Sequence, residues 1–445
     1  MMRRLRQWAP ALVDVKKMAY FLSFLSGLVA GLVVAGVVMS QEDMRGSSLA
    51  PPMPHVGPSN AAVFLWVDAP TAKAACREAD EPATAAAAAA ATSAEAVLWR
   101  SLWPRPIAAT TNYSTVGSLT AVPPAGRNLS SDGRCAVFDW LRLPLIGPRA
   151  ARAVAAPRYV VIERKGGLGN QLFEVVHGVV EALAHGRTPL LGPPLENPHA
   201  TEPYEGTIFR HICHMPATDI TINATVVNNY GSLCAYAPLQ LSDEQVTVQL
   251  AGHWQHWRFA AELPPAALRA LFAPPPRLLQ RLEATYGPLA ECVAVHVRRG
   301  DLVLYNDSIG MDAYIEPALR ELESRGPPLT CLLIVSDDIT WTQTQANFIS
   351  RGARFVTGEN ELASLYLLAS VGRGLICPTS TFCWWGAFLG REDNGRLARN
   401  KNVVMPRPWT MSSSSRSYRD SQHEQYFFPG VTTVPRTDFK PPSTY

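Results

Sequence analysis

From Arg158 almost to the last residue, the chain alternates short, continuously apolar runs with segments of helical spacing, and nothing else in it restricts the fold as much. The strand candidates are "YVVIE" at Tyr159, "CVAVHVR" at Cys292, "CLLIVS" at Cys331, "RFVT" at Arg354, "GLIC" at Gly374 and "NVVM" at Asn402. Helical patterns fill several of the intervals, at Asn170–Leu183, Leu278–Tyr286, Met311–Glu323 and Glu361–Ser370. Strands that are apolar along their whole length are covered on both faces. That predicts an α/β fold with parallel sheets and ligands at the carboxyl ends of the strands. The proline-rich break "APPPR" at Ala273–Arg277 divides the region 158–445 into two Rossmann-like lobes, about 158–276 and 277–445, with a cleft between them.

The N-terminal third reads differently. Met18–Met39 contains no charge, and at about 1.5 Å per residue its roughly 22 residues cross a bilayer core of about 30 Å. The apolar part of a signal peptide is shorter, about 7–15 residues. Arg3, Arg4, Arg6, Lys16 and Lys17 precede this run, and Glu42 and Asp43 follow it. The asymmetry predicts a cytosolic tail over 1–17, a signal-anchor helix over 18–39 and a luminal remainder. N-x-S/T sequons at Asn112, Asn128, Asn223 and Asn306 agree with that side. The segment 40–157 is rich in Ala, Pro, Ser and Thr and reads as a low-complexity stem. Within it, "AVFLWVDA" at Ala62–Ala69 and "CAVFDWLRLPLI" at Cys135–Ile146 are apolar enough to pack on the domain.

The 8 cysteines form no C-x-x-C pair, so neither a zinc ribbon nor a dithiol redox site is expected. Cys213 with Cys234 is the expected local bridge. Cys292, Cys331 and Cys377, in apolar strand-like runs, are expected as buried thiols. A net charge of only +3, with no basic patch interleaved with aromatics, argues against a nucleic-acid partner.

Chemistry concentrates in four motifs. "GGLGNQ", Gly166–Gln171, lies between strand and helix, where backbone N–H groups and the helix dipole favour an anion. It has neither the Gly-Lys-Ser/Thr ending of a P-loop nor the G-x-G-x-x-G pattern. A tight turn and a phosphate approach by Gly167 and Gly169 both fit, and Asn170 and Gln171 can cap the helix or touch a ligand. "AVHVRRGD", Ala294–Asp301, places His296, Arg298, Arg299 and Asp301 at a strand's carboxyl end and in the loop beyond. Strand alternation sends Arg298 to the face of His296 and Arg299 to the other. One arginine can therefore grip a phosphate in bidentate fashion while the other pairs with a carboxylate such as Asp301.

"IVSDD" ends a further strand with Asp337 and Asp338, which can accept from ribose hydroxyls or a base edge, or cap the next helix. Its spacing is not D-x-D, and no His or Glu cluster suggests a metal. In "LICPTSTFCWWGAF", Leu375–Phe388, Ser380 and Thr381 can cap an aromatic helix and offer hydroxyls and N–H groups to an anion. Trp384 and Trp385 suit core packing better than ligand stacking. Two anion sites facing across a cleft imply a diphosphate.

Taken in order, "GGLGNQLF", "LAGHWQHWRF", "HVRRGD", "VSDDITW" and "TSTFCWWGAF" resemble the galactoside 2-α-L-fucosyltransferase family, inverting enzymes that use GDP-fucose on a GT-B-type fold. The resemblance spans about Val160 to Pro406. It implies that Arg298 or Arg299 binds the GDP β-phosphate and that His296, Asp337 and Asp338 lie near the guanosine. It further implies that Ser380, Thr381 and Phe382 hold the phosphate end, with Gly167, Gly169, Asn170 and Gln171 closing the pocket from the first lobe. Where the family carries an acid, a cysteine and a histidine before "TSTF", this chain has Leu365, Gly372 and Gly374, with Glu361 about one turn away. Asp301 is then the first candidate for a base and Glu361 the second, with His253, Trp254 and Trp257 expected at the acceptor.

The function implied is metal-independent transfer of fucose to the 2-hydroxyl of a terminal galactoside by a single-pass type II Golgi membrane protein, with no cofactor beyond the donor. Two alternatives stay open: a fucosyltransferase acting on a protein hydroxyl or core glycan, and a non-catalytic glycan- or nucleotide-binding membrane protein.

Overall fold

The alternation resolves into two parallel sheets in the computed structural model of the chain. It describes residues 64–66, 158–194, 204–214, 225–228, 236, 239–242, 244–304, 308, 310–391, 401–409 and 424–438. All of these fall in the unit 60–445. The expected anchor at 18–39, the four sequons, Cys234 and the stretch Cys135–Ile146 lie outside the described residues. Among the described residues no helix is long and apolar enough to cross a membrane.

The first sheet comprises β1 (Phe64–Trp66), β2 (Tyr159–Arg164), β3 (Thr188–Pro194), β4 (Thr225–Asn228) and β5 (Thr247–Ala251), with α1 (Leu168–Ala184) leading from β2 to β3. Their order is β1-β4-β5-β2-β3 and every pairing is parallel. The apolar run Ala62–Ala69 thus contributes an edge strand, with Phe64 in register with Val226. Strands β3, β4 and β5 are not among those the sequence predicts. Pro189, Pro193 and Pro194 disguise β3, which lies at the edge of the sheet, where prolines are confined.

Short helices α2 (Trp257–Ala261), α3 (Pro265–Leu271) and α4 (Pro276–Tyr286) lead across the proline-rich break to the second lobe. There β6 (Val293–Val297), α5 (Gly300–Leu304), α6 (Glu316–Arg325), β7 (Leu332–Ser336), α7 (Ile339–Gln343), α8 (Ala346–Ile349), β8 (Arg354–Phe355), α9 (Glu361–Ser370), β9 (Gly374–Ile376), α10 (Thr381–Leu389), β10 (Asn402–Arg407) and β11 (Val431–Pro435) follow. The helix expected at Met311–Glu323 begins as a π-helical segment, Met311–Ile315, and becomes α-helical only from Glu316. Pro317 has no N–H for the turn before it, so a regular α ladder cannot run through.

The second sheet is also wholly parallel, ordered β11-β10-β9-β6-β7-β8. Written by position in the lobe this is 6-5-4-1-2-3, the doubly wound order, with its switch point between β6 and β9. Alternation along β6 sends Val293, Val295 and Val297 into a smaller core with Tyr314, Leu319 and Phe348. Ala294 faces the main core, which runs through both lobes and holds Ile162, Phe173, Trp384 and Trp385.

Helices α1 and α10 join the lobes. Phe173 lies 4.5 Å from Trp384 and 5.0 Å from Trp385, ring centre to ring centre. Both tryptophans are fully buried, as their core assignment requires. Burying such rings contributes about 3–5 kcal/mol each against alanine.

The cysteines correct one expectation. Cys292 and Cys331 are joined, as are Cys377 and Cys383, so none of the three strand cysteines is a buried thiol. Cys292 and Cys331 each precede a strand, and Val293 is in register with Leu332, which brings their Cα atoms to 4.6 Å, whereas Cys377 follows β9. Cys213 is also disulfide-bonded.

Candidate functional site

The carboxyl ends of β6 and β9 flank the switch point, and the loops leaving them carry the two strongest motifs. After β9 the chain turns through Cys377–Ser380 into α10. The Cys377 carbonyl accepts from the Tyr314 hydroxyl at 2.7 Å, the Thr379 hydroxyl donates to the Trp409 carbonyl, and the Cys377–Cys383 bridge closes the loop. Ser380 stands at the N-cap in extended conformation, yet its side chain makes no cap bond. It is only 4 % exposed, and its Oγ has no hydrogen-bond partner among the described residues. A buried, unsatisfied hydroxyl beside the free N–H groups of a helix's first turn is an anion site in waiting.

His296 looks onto this loop from β6, its ring 5.4 Å from that of Phe382. Burial, with the Arg298 charge beside it, lowers its pKa to about 3, so the ring is neutral, and its Nδ1 is buried without a partner among the described residues. Arg298 pairs with Asp301, Nη2 to Oδ1 at 2.8 Å and Nε to the same oxygen at 3.3 Å. Arg299 turns towards β7: its Nε donates to Asp338 Oδ2 at 3.1 Å, and its guanidinium lies 3.9 Å from the centre of the Trp341 ring.

Asp337 accepts from the Arg299 backbone N–H at 2.8 Å. Asp338 caps α7, accepting from Trp341 N at 3.1 Å. That bond, and next the Arg299 side chain, hold its carboxyl below the usual range. Of the two roles the sequence leaves open for the aspartates, helix capping is the one Asp338 fills.

From the first lobe, "GGLGNQ" meets the start of α10 directly. A Cβ on Gly169 would stand 2.4 Å from Phe382 N, so only glycine permits the contact. Thr381 Oγ1 donates to Asn170 Oδ1 at 2.8 Å, and Gln255 Nε2 donates to the same oxygen at 2.9 Å. Tyr426 donates to Gln255 Oε1 at 2.7 Å, completing the link. Gln171 folds back on its own loop, donating to the Gly166 carbonyl at 2.9 Å. At Gly167, the cap of α1, an added Cβ would meet nothing within 4 Å.

The three residues expected at the acceptor diverge. Trp254 is 3 % exposed and stacked on His177 at 4.1 Å, a core position. Trp257 is half-buried beside His256. His253 is 25 % exposed, with Nδ1 3.1 Å from Glu174 Oε1. Of the two base candidates, Asp301 is taken by Arg298, and Glu361 accepts from the Tyr204 hydroxyl of the first lobe. Among the described residues no group of three or more His, Cys, Asp or Glu is placed to hold a metal ion.

Residues 280–408 match the sequence model of Glycosyl transferase family 11. They carry "HVRRGD", "VSDDITW" and "TSTFCWWGAF", so the resemblance drawn from those motifs is borne out over this segment. An alpha-1,2-colitosyltransferase from Escherichia coli is 25% identical over 287 residues, 56% of this chain and 92% of the relative. The O-antigen biosynthesis glycosyltransferase WbnK, also from Escherichia coli, is 28% identical over 131 residues, 27% of this chain and 39% of the relative. A crystal structure of the fucosyltransferase NodZ from Bradyrhizobium overlaps with a TM-score of 0.36 at 17% identity, over 52% of this chain and 93% of that one.

Sequence reasoning missed Glu174 and Gln255. Each had a signal. Glu174 is an acid within the apolar face of "LFEVVHGVV", and Gln255 is the one amide in "HWQHW".

Proposed function

We propose that this chain transfers L-fucose from GDP-fucose to the 2-hydroxyl of a terminal galactoside, with inversion, on a GT-B-like pair of lobes. The observation that carries this is the meeting, at the switch point of the second sheet, of Arg298 and neutral His296 from β6 with the unsatisfied Ser380 hydroxyl and the helix start after β9. The acceptor oxygen attacks the anomeric carbon from the face opposite the diphosphate, and negative charge gathers on the departing GDP. Arg298 and the N–H groups of α10 stabilise that charge without a metal ion. Asp301 orients Arg298, while Arg299, braced by Asp338 and Trp341, holds the loop. A preorganised group of this kind contributes about a hundredfold or more in rate.

The family 11 match supports the reaction class, and the linkage in the name of the alpha-1,2-colitosyltransferase relative supports the alpha-1,2 bond. Disulfides in this lobe suit an oxidising compartment. With the charge asymmetry around Met18–Met39, they favour a type II Golgi membrane protein whose stem, 40–157, sets off a catalytic domain over 158–445.

Incubating the full-length chain with GDP-fucose and three acceptors, a β-galactoside, a chitobiose core glycan and a Ser/Thr-bearing protein domain, tests the assignment. An NMR spectrum of an α-fucosyl residue on galactose O2 is the expected product. Fucose appearing only on another acceptor would replace the galactoside reading, and binding of GDP-fucose without any transfer would favour a non-catalytic role.

A further inference from the structure

Glu174 is a carboxylate on a helix buried along nearly its whole length, itself 2 % exposed. Such a group is costly unless its oxygens are occupied. Both are: Oε2 accepts from Lys165 N at 2.8 Å, and Oε1 lies 3.1 Å from His253 Nδ1. The histidine reaches from this buried carboxylate to the surface, its side chain 25 % exposed.

The backbone is shaped to bring it there. Gly252 has φ 120° and Trp254 φ 49°, the latter the one non-glycine residue at positive φ among those described. A left-handed non-glycine residue costs about 1–3 kcal/mol and persists only where its surroundings hold it. Here the unusual turn lets two residues of one loop grip α1: His253 meets Glu174, and Gln255 meets Asn170, four residues earlier on the same helix face. Asn170 is also the residue that receives the Thr381 hydroxyl at the start of α10. The Glu174–His253 pair therefore stands about one helical turn, roughly 5–6 Å, from the junction of the two lobes. Lys165 follows β2 and Gly252 follows β5, and these strands pair in parallel, so both loops leave the carboxyl edge of the first sheet side by side. The pair thus lies by the carboxyl ends of strands in its sheet, as Arg298 and Ser380 do in the second.

We infer that His253 takes the proton from the attacking acceptor hydroxyl, and that Glu174 is its positioning residue. This deepens the fucosyl-transfer reading and rests on it. With Nδ1–H donating to the carboxylate, the tautomer leaves Nε2 as the basic nitrogen. As the acceptor oxygen bonds to the anomeric carbon, its O–H bond breaks and the proton passes to Nε2. The bond from that carbon to the β-phosphate oxygen breaks, and its electron pair leaves with GDP. The imidazolium so formed faces the Glu174 carboxylate, with Glu163 and Arg164 of β2 as the neighbouring charges. Asp301 and Glu361 already serve Arg298 and Tyr204.

The test compares the full-length wild type with His253→Gln, His253→Ala and Glu174→Gln. A general base of this kind contributes about 10²–10⁴-fold. His253→Gln should therefore lose about a hundredfold or more in kcat for the galactoside, while its affinity for GDP stays within about twofold. Added imidazole should restore part of the rate to His253→Ala. The acid limb of the pH–kcat profile should vanish in His253→Gln and move in Glu174→Gln, which a merely structural role would not do. A His253→Gln enzyme with nearly unchanged kcat and the same acid limb overturns the inference. So does one that has lost GDP affinity, which would place the histidine in the fold or the sugar-donor site. Wild type that releases no GDP would remove instead the transfer reading beneath it.

Discussion

Arg298 and Arg299 are adjacent in sequence and differ in what restrains them, and their contributions should differ accordingly. Arg298 shares the face of His296 at the switch point, whereas Arg299 lies against Trp341 and Asp338 on the β7 side. Arg298→Ala should lower kcat/KM for GDP-fucose about 10²–10³-fold, the cost of removing a preorganised charge from a developing anion. Arg299→Ala should cost less, since it loses a stacking and ion-pair brace of about 1–2 kcal/mol. Steady-state kinetics of the two variants checks the order, and equal losses would show that both guanidinium groups touch the diphosphate.

Histidine burial sets the acid stability. His256 and His296 are both pushed down to about 3 by burial, and His256 Nδ1 caps α2 by accepting from Arg258 N. The unfolded chain binds these protons near pH 6.5 while the folded chain does not. The stability they contribute is complete above about 6.5 and is lost as pH falls towards 3. Thermal melts should show Tm falling with acid over that window, and His256→Asn should flatten the fall. At this scale the sequence named the charged pairs but left their partners open. The alternation rule separated the two arginines, yet nothing local says that Asp338 rather than Asp301 holds Arg299, because that choice depends on β7 lying beside β6.

Among the elements, the loop from β9 to α10 bears most on the site. Its bridge joins Cys377 to Cys383 across the Thr379–Ser380 turn, and Tyr314 and Trp409 anchor it from outside. A disulfide acts mainly by restricting the alternatives open to the loop, commonly about 2–4 kcal/mol. Replacing both cysteines by serine should raise KM for GDP-fucose several-fold with a smaller effect on kcat, and kinetics beside a melting curve separates this from unfolding. Unchanged KM would show that the turn is held by its hydrogen bonds alone. The α1 start meets this loop through Gly169, so Gly169→Ala should displace Phe382 and lose about 1–3 kcal/mol of stability with the same rise in KM. The sequence marked this loop as a cap and an anion site, but it missed the bridge because a six-residue spacing has no signature apart from the turn that closes it.

For the whole molecule, the second lobe was legible almost strand by strand, because strands buried on both faces leave unbroken apolar runs such as "VAVHV" and "LLIVS". In the first lobe β2 and α1 were legible and the other strands were not. Its β3 is an edge strand carrying prolines, β5 has half-buried Thr247 and Gln249 interrupting its apolar run, and β1 comes from a segment whose composition reads as a spacer. Where the lobes meet, the sequence supplied the ring cluster of Trp384 and Trp385 and the glycine loop. It gave no sign that a glutamate on α1 would pair with a histidine some eighty residues later, since that contact exists only once β2 and β5 lie side by side. On the proposed function, two lobes built on parallel sheets present a diphosphate site and an acceptor site to one another. This is tested most directly by acceptor-dependent release of GDP from GDP-fucose by the full-length chain in the presence of EDTA. Release should require a β-galactoside, persist with EDTA and fall at least about a hundredfold in Arg298→Ala. Release abolished by EDTA, or no release with any acceptor, would contradict it.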